Sequence, residues 1–344
     1  MSNVDKSPSC SHFLLIVPNS SCGAISNRTI MDRRIRKRAP PIDETMIALK
    51  RANCVCAGLF VVLEETVKYS YDALVYYGEK IAQSFERVAR CGYDAIELVG
   101  EPANHDVAEI RALCAKHKIK VSSLCSIFVG SERDLVAAEP ENRAKAKSYV
   151  RDLVDFAAAI DCPMVIIRPA PFGKTSPTSD EVSEWAWAVE GIRESADYGA
   201  RKNIRFCIEA WNRYETYFGN TIDQVLKLRN AVDRPNVGVM GDSFHMAIEE
   251  KNLAEAYRRA GEHLFHVHFA DSNRAAPGAG HTDFEPILQA LKDMGYAGYI
   301  AFELLPAAAD VFGTLQRGGG KEFFDHYTKM SIETCRAIEA RIGA

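Results

Sequence analysis

The feature that most constrains this chain is a regular alternation of short apolar segments with longer segments whose apolar residues recur at helical spacing. The alternation begins at Val67 and predicts eight strands, each followed by a helix. The predicted strands are 67–74, 95–99, 120–128, 164–168, 205–210, 237–242, 264–269 and 299–304. The predicted helices are 79–91, 106–116, 142–160, 179–200, 221–231, 253–260, 284–294 and 323–342.

This alternation is typical of parallel strands joined by helices. Continuously apolar strands indicate parallel strands that are buried on both faces. Eight strand–helix pairs within residues 67–344 also come close to the roughly 250 residues of a (β/α)8, or TIM, barrel. An open doubly wound sheet is the main alternative, and it more often carries a glycine-rich turn after its first strand. The corresponding residues here are Tyr76-Tyr77-Gly78-Glu79, so we expect the closed barrel.

Residues 1–66 fall outside this pattern. They contain a basic cluster from Arg33 to Arg38, followed by Pro40 and Pro41, and they show no sustained periodicity. A targeting segment or a nucleic-acid-binding arm would explain the basic cluster. We instead expect a disordered extension, or upstream sequence included by a wrongly assigned start. The catalytic domain is therefore predicted to be a single barrel, residues 67–344.

Composition excludes several classes of function. A formal net charge of -4 creates no global basic field that would attract nucleic acid. No apolar run reaches the roughly 18 residues that a membrane span needs. The ten cysteines show no zinc-binding spacing, and several lie in apolar stretches. Free thiols in a reducing compartment are expected, which predicts a cytoplasmic protein.

Four successive strands carry, at or near their ends, a side chain that can bind a metal. These side chains are Glu209, Asp242, His268 and Glu303. The carboxyl ends of barrel strands meet at one face, and alternation directs these side chains inward, so we expect them to converge. Three carboxylates within a few ångströms repel each other strongly unless a cation lies between them. Their oxygen-rich set with one imidazole suits manganese, cobalt or magnesium better than a structural zinc.

The second half of the chain also resembles a known family. The similarity is densest between Cys207 and Pro306. It is carried by Glu209 with Asn212, Arg213 and Glu215; Asp242-Ser243-Phe244-His245-Met246 with Glu249 and Glu250; His266 and His268 with Asn273, Arg274 and Pro277-Gly278-Ala279-Gly280; and Glu303. With these residues the chain, from about Val67 onward, resembles the ketose 3-epimerases of the xylose-isomerase-like barrel superfamily. Members of that family act on D-tagatose, D-allulose or L-ribulose.

The resemblance implies one divalent metal, manganese first, with cobalt or magnesium as alternatives. The implied ligands are Glu209, Asp242, His268 and Glu303. The resemblance further implies that Glu209 and Glu303 transfer protons, and that a homodimer or homotetramer forms. The implied contacts to the sugar are Glu215, His245 and Arg274, with His245 predicted in the loop after strand 237–242.

The chemistry of these residues agrees with the resemblance. Epimerising a carbon next to a ketone requires removal of a weakly acidic proton and its return on the opposite face. A metal that polarises the carbonyl stabilises the enediolate by several kcal/mol. Two carboxylates on opposite sides of the substrate can act as base and acid, each contributing about 10²–10⁴-fold. We therefore predict a metal-dependent epimerase or isomerase of a ketose or keto-sugar.

Three other functions remain open at this point. The same enolisation would serve a lyase acting on 3-oxo-glycosides, and a requirement for a small partner subunit would favour that alternative. A metal-dependent hydrolase such as a barrel endonuclease would use more histidines than this face offers. A non-catalytic sugar-binding barrel would have no need for both Glu209 and Glu303.

The first half of the barrel offers fewer clues. Glu97 and Glu101 lie near the end of the second predicted strand. Arg168 and Lys174 follow the fourth, where two cations would suit a larger or anionic substrate. None of the four matches the family pattern in a way that assigns it a role.

Overall fold

The computed structural model describes residues 67–306, 308, 313–314 and 317–343. The predicted extension, residues 1–66, lies outside this part of the chain. Eight parallel strands close into a barrel in which each strand pairs with the next in sequence and the last pairs with the first. The predicted (β/α)8 barrel is confirmed.

The bounds of the predicted strands and helices agree with the structure to within two residues. The strands are β1 Lys68–Asp72, β2 Ala95–Gly100, β3 Lys120–Ser126, β4 Met164–Ile167, β5 Arg205–Ala210, β6 Val237–Asp242, β7 Leu264–Phe269 and β8 Tyr299–Phe302. The α-helices of the described residues are α1 Ile81–Arg90, α2 Val107–His117, α3 Pro140–Ala159, α4 Glu181–Ala200, α5 Ile222–Val232, α6 Ser243–Glu249, α7 Leu253–Ala260, α8 Phe284–Asp293 and α9 Lys321–Gly343.

Alternation along the strands separates two apolar cores. On β5, Phe206 and Ile208 belong to the large core between the strands and the outer helices. Cys207 belongs instead to a small inner cluster, together with Met164 and Met240 of the neighbouring strands. Glu209 lies two residues after Cys207 and therefore shares its inward face. The same period directs the inward residues of β6, β7 and β8 toward the axis of the barrel.

One element close to the site differs from the prediction. The segment after β6 forms the short helix α6, so His245 lies in a helix and the predicted loop position is wrong. The cause is the side chain of Asp242, which accepts a hydrogen bond of 2.7 Å from the backbone N–H of Phe244. A carboxylate in this N-cap position satisfies a free donor of the first helical turn and starts the helix directly after the strand.

Two further properties concern the described residues alone. Each of their six cysteines is a free thiol. None of their helices combines the length and the apolar character that crossing a membrane requires.

Candidate metal and substrate site

The four predicted ligands meet at the carboxyl-terminal end of the barrel. One donor atom from each of Glu209, Asp242, His268 and Glu303 lies within 4.8 Å of the others. All four side chains are buried, and Glu303 is the most exposed at 4%. Register explains part of this convergence, because Asp242 of β6 is aligned directly with His268 of β7.

The free atoms of this cluster fit a divalent cation. Glu209 Oε1 and Asp242 Oδ2 are buried and have no hydrogen-bond partner among the described residues. His268 Nδ1 faces the same space and lies 3.5 Å from Glu303 Oε2. Buried polar atoms normally have partners, so unsatisfied oxygens at one point indicate a ligand. Three carboxylates with one imidazole are a donor set for Mn²⁺, Co²⁺ or Mg²⁺.

Glu97 on β2 fixes the orientation of the imidazole. His268 Nε2 lies 2.8 Å from Glu97 Oε1, and His266 Nε2 lies 2.7 Å from Oε2 of the same carboxylate. The negative charge of Glu97 beside Nε2 favours a proton on that nitrogen, and Nδ1 faces the cluster. Metal-binding histidines commonly donate their second ring N–H to a carboxylate in this way.

The electrostatics of the cluster differ from ligand to ligand. Burial raises the pKa of Asp242 to about 8. Burial would lower the pKa of His268, but Glu97 and Glu303 raise it well above its ordinary value. Burial also disfavours ionised Glu303, yet Arg274 and His268 hold its pKa well below the usual range. At neutral pH, therefore, the metal-free site holds protons on Asp242 and His268.

Arg274 connects two of the predicted site residues. Its Nη2 donates to Glu303 Oε2 at 2.9 Å, and its Nη1 donates to Glu215 Oε1 at 3.3 Å. The guanidinium lies 4.6 Å from the centre of the Phe244 ring. The backbone φ of Arg274 is +62°, which is costly for a side chain with a Cβ. Such strain is retained where the surrounding structure fixes a functional geometry.

His245 presents a hydrogen-bond donor to the cluster. Its Nδ1 accepts from Asn212 Nδ2 at 2.8 Å, and the amide of Asn212 is oriented by the N–H of Tyr214 at 2.9 Å. Nε2 therefore carries the proton, and it lies 3.6 Å from Asp242 Oδ2 and 4.0 Å from Glu209 Oε1. Burial, and then the nearby Arg274, keep the pKa of His245 well below its ordinary value, so the ring is neutral.

Arg168 is a second cation at the site. It is 4% exposed, and its Nη2 forms an ion pair with Glu209 Oε2. Its Nη1 donates to the carbonyl of Ser126 at 2.5 Å, and its guanidinium lies 4.2 Å from the centre of the Trp211 ring.

Glu97 and Arg168 thus reach the site, whereas Glu101 and Lys174 do not. Lys174 lies 2.8 Å from Asp134 and 3.4 Å from Glu184, in a separate ion-pair group. The expectation that it joins Arg168 in binding an anion is wrong. Glu101 accepts from Arg133 Nη2 at 2.8 Å. Sequence reasoning assigned no role to Glu97, and for Arg168 it suggested only a larger or anionic substrate. The signal for both was a charged residue inside or directly after an apolar strand.

A closed barrel of eight parallel strands is the fold of the xylose isomerase-like TIM barrels. The model of the family described as "Xylose isomerase-like TIM barrel" matches residues 85–315. The chain belongs to this family.

Several of the relatives are ketose 3-epimerases. The chain is 29% identical to a D-psicose 3-epimerase of Ruminiclostridium cellulolyticum over 74% of its own length and 90% of that protein. It is 31% identical to an L-ribulose 3-epimerase of Methylomonas sp. over 69% and 84% of the two chains. A D-allulose 3-epimerase of Methylomonas sp., solved with D-allulose, superposes with a TM-score of 0.70 at 28% identity, covering 79% of this chain and 96% of that one. The chain therefore belongs to the ketose 3-epimerase family of these barrels, as the sequence predicts, and it is an enzyme.

Proposed function

We propose that this enzyme inverts the carbon next to the carbonyl, C3, of a ketose or keto-sugar in a metal-dependent reaction. One observation carries the proposal. Two buried carboxylates, Glu209 and Glu303, reach the same cluster from strands that are not neighbours in the barrel. An enzyme that removed and returned a proton on one face of its substrate would need only one of them.

Four residues would hold one divalent metal, and they are Glu209, Asp242, His268 and Glu303. Their three carboxylates favour manganese, with cobalt or magnesium as alternatives. When bound, the metal would polarise the substrate carbonyl and stabilise negative charge on its oxygen.

The two glutamates would carry the protons. One carboxylate accepts the C3 proton, and the C–H electron pair moves toward the carbonyl oxygen to give an enediolate. The other glutamate, as a carboxylic acid, donates a proton to the opposite face of C3. The roles exchange in the reverse direction. After a turnover in one direction the acid has lost a proton and the base has gained one, and proton exchange with water after product release restores the starting state.

The remaining site residues would bind and orient the sugar. The Nε2–H of His245 donates to a sugar oxygen, while Arg274 and Glu215 bind a further hydroxyl or carbonyl oxygen. Arg274 also keeps Glu303 ionised, because it donates to that carboxylate at 2.9 Å. Since the ligand side chains are almost fully buried, a bound sugar would exclude most of the water from the reacting carbon.

Proton exchange followed by NMR tests the proposal. The manganese-loaded enzyme is incubated in D2O with D-allulose, D-fructose, D-tagatose and L-ribulose, and the metal is removed before spectra are recorded. Deuterium at C3 together with the C3 epimer is the expected result. Exchange without the epimer would favour the alternative lyase acting on 3-oxo-glycosides with a small partner subunit. A lack of exchange with every free ketose would contradict the proposal for this substrate class.

Other features are proposed on the resemblance or the composition alone. They are a homodimer or homotetramer, a cytoplasmic location, and a catalytic domain that comprises residues 67–344. Size measurement of the purified protein and localisation of the tagged chain would test the first two.

A further inference from the structure

Each of the two glutamates proposed to transfer protons is paired with its own arginine. Arg168 forms an ion pair with Glu209, and Arg274 donates to Glu303 at 2.9 Å. We propose that Arg168 is a positioning residue that acts on Glu209, and thereby mainly on one of the two proton transfers. The inference rests on the function proposed above, and it concerns a residue to which the family resemblance assigns no role.

Two contacts other than Glu209 hold the guanidinium of Arg168 in place. Ser126 at the end of β3 accepts from Nη1 at 2.5 Å, and the Trp211 ring, just after β5, lies 4.2 Å from its central carbon. Its side chain starts directly after β4, at a position that is 4% exposed. A planar guanidinium fixed in this way presents its Nη2 in one direction. The carboxylate of Glu209 must therefore adapt to Arg168.

The ion pair determines which oxygen of Glu209 faces the cluster. Arg168 Nη2 forms its ion pair with Oε2, Oε1 lies 4.0 Å from His245 Nε2, and neither oxygen accepts a hydrogen bond from the described residues. Attraction between a fixed guanidinium and one oxygen of a carboxylate favours one orientation of the carboxylate plane. A base displaced by about 1 Å from its reacting proton loses on the order of 10²-fold in rate. Arg168 thus holds Glu209 in the orientation that proton transfer needs.

The arrangement is asymmetric. In the described part of the chain the ion-pair partner of Arg168 is Glu209, whereas Glu303 is paired with Arg274. The charge of Arg168 also helps to lower the pKa of Glu303, but its ion pair is with Glu209. Loss of Arg168 therefore disturbs the transfer that passes through Glu209 much more than the transfer that passes through Glu303. A purely structural arginine would affect both transfers alike.

The test uses the full-length, manganese-loaded chain with the substitution Arg168→Met and the epimer pair that the wild type interconverts. Each epimer is incubated separately in D2O. We expect one epimer to exchange its C3 proton within about threefold of the wild-type rate. Exchange of the other epimer and net conversion should both fall by roughly 10- to 100-fold. One epimer loses its C3 proton to Glu303. That epimer should still exchange in Arg168→Met and should stop exchanging in Glu303→Gln.

A second measurement applies if wild-type enzyme returns the abstracted proton without exchange. Conversion of each C3-deuterated epimer is then timed in H2O. In Arg168→Met, the substrate isotope effect should increase for the epimer deprotonated by Glu209. For the other epimer, protonation by Glu209 becomes the slow step. The substrate isotope effect should then vanish for that epimer, and a solvent isotope effect should appear.

Manganese affinity, measured by calorimetry, separates positioning from construction of the metal site. Removing a cation near the metal removes repulsion, but it also raises the pKa of the ligand Glu209. Because the two effects oppose each other, Arg168→Met should bind Mn²⁺ within tenfold of the wild-type affinity. Arg168→Lys, which keeps the charge with a less directional donor, should restore part of the lost exchange.

Arg143 provides a matched control. It donates to the carbonyls of Ala137 and Ala138 at 2.6 and 2.9 Å, and its guanidinium lies 4.0 Å from the centre of the Trp187 ring. Arg143→Met therefore removes an arginine that also stacks on tryptophan and binds carbonyls, but away from the site. Exchange of both epimers should stay equal to wild type or fall equally.

Two results would overturn the inference. One is an equal change, or no change, for both epimers in Arg168→Met. The other is a loss of manganese affinity of tenfold or more, which would make Arg168 part of the scaffold of the metal site. Failure of the proposed function is distinct from both, because the wild-type chain itself would then exchange no C3 proton.

Discussion

His268 Nε2 lies 2.8 Å from Glu97 Oε1, and this contact turns the other nitrogen of the ring toward three carboxylates. The second oxygen of Glu97 lies 2.7 Å from His266 Nε2, so the carboxylate is itself held in place. It also accepts from Ser123 of β3. The orientation of the imidazole is therefore set across the interior of the barrel, by β2 and β3 acting on β7.

Glu97→Gln should weaken manganese binding about 10- to 100-fold, because the amide removes the charge that fixes the proton on Nε2 of His268. Calorimetric titration with Mn²⁺ measures the change. Glu101→Gln is the matched control, since Glu101 follows the same strand but accepts from Arg133 at 2.8 Å. Equal affinities of Glu97→Gln and wild type would show that Glu97 does not support the imidazole.

The contrast between Glu97 and Glu209 explains how far the sequence could predict this site. Strand ends on one face of a barrel converge whatever their exact register, so Glu209 and the other three ligands could be brought together from their positions alone. The contacts of Glu97 and Arg168 depend on which strands face each other across the interior and on the side-chain rotamers. The spacing of residues along the sequence indicates neither of these sets of contacts. It also does not show that Asp242 caps a helix that contains His245.

Glu303→Gln should block the proton transfer that passes through Glu303, and with it epimerisation, while metal and sugar still bind. An amide oxygen can remain a weak metal ligand, but an amide neither accepts nor donates the transferred proton, so turnover should fall by about 10²–10⁴-fold. Turnover of the ketose identified by NMR and calorimetry with Mn²⁺ are measured on the same preparation. Near-normal turnover would remove Glu303 from the proton-transfer mechanism. Glu101→Gln again serves as the control and should retain full turnover.

Exhaustive chelation should abolish epimerisation, and addition of Mn²⁺ or Co²⁺ should restore it. A ligand that binds only the folded state stabilises it by about 2.7 kcal/mol at a hundredfold excess over its dissociation constant. Thermal unfolding should therefore shift upward with added manganese. Full activity after chelation would contradict the metal-dependent mechanism.

A chain comprising residues 67–344 should fold and remain active. The barrel closes through pairing of β1 with β8, where Lys68 is aligned with Tyr299, and this pairing lies within the shortened chain. Circular dichroism, thermal unfolding and ketose turnover provide the comparison with the full-length protein. A chain starting at Ala73 lacks β1, so it should not form the barrel. Loss of soluble or active protein on removal of residues 1–66 alone would show that the barrel depends on them.

The free energy of unfolding of the metal-free protein should decrease as the pH rises, and bound metal should reverse this trend. Burial raises the pKa of Asp242 from 3.8 to about 8, so between these values the folded state binds a proton that the unfolded state has lost. Stability therefore falls as the pH rises through this window. The raised pKa of His268 has the same sign, because its contribution is complete below 6.5 and is lost as the pH rises further.

Manganese must replace both protons, since Asp242 binds a metal as the carboxylate and His268 through a free Nδ1. At pH 7, binding should release about two protons, one from each of these residues. Calorimetry in buffers of different ionisation enthalpy counts them. Affinity should increase with pH through about 8, the pKa of Asp242, and level off only once His268 has also lost its proton. Asp242→Asn should release one proton fewer, whereas pH-independent affinity in the wild type would mean that the ligands are already deprotonated before the metal arrives.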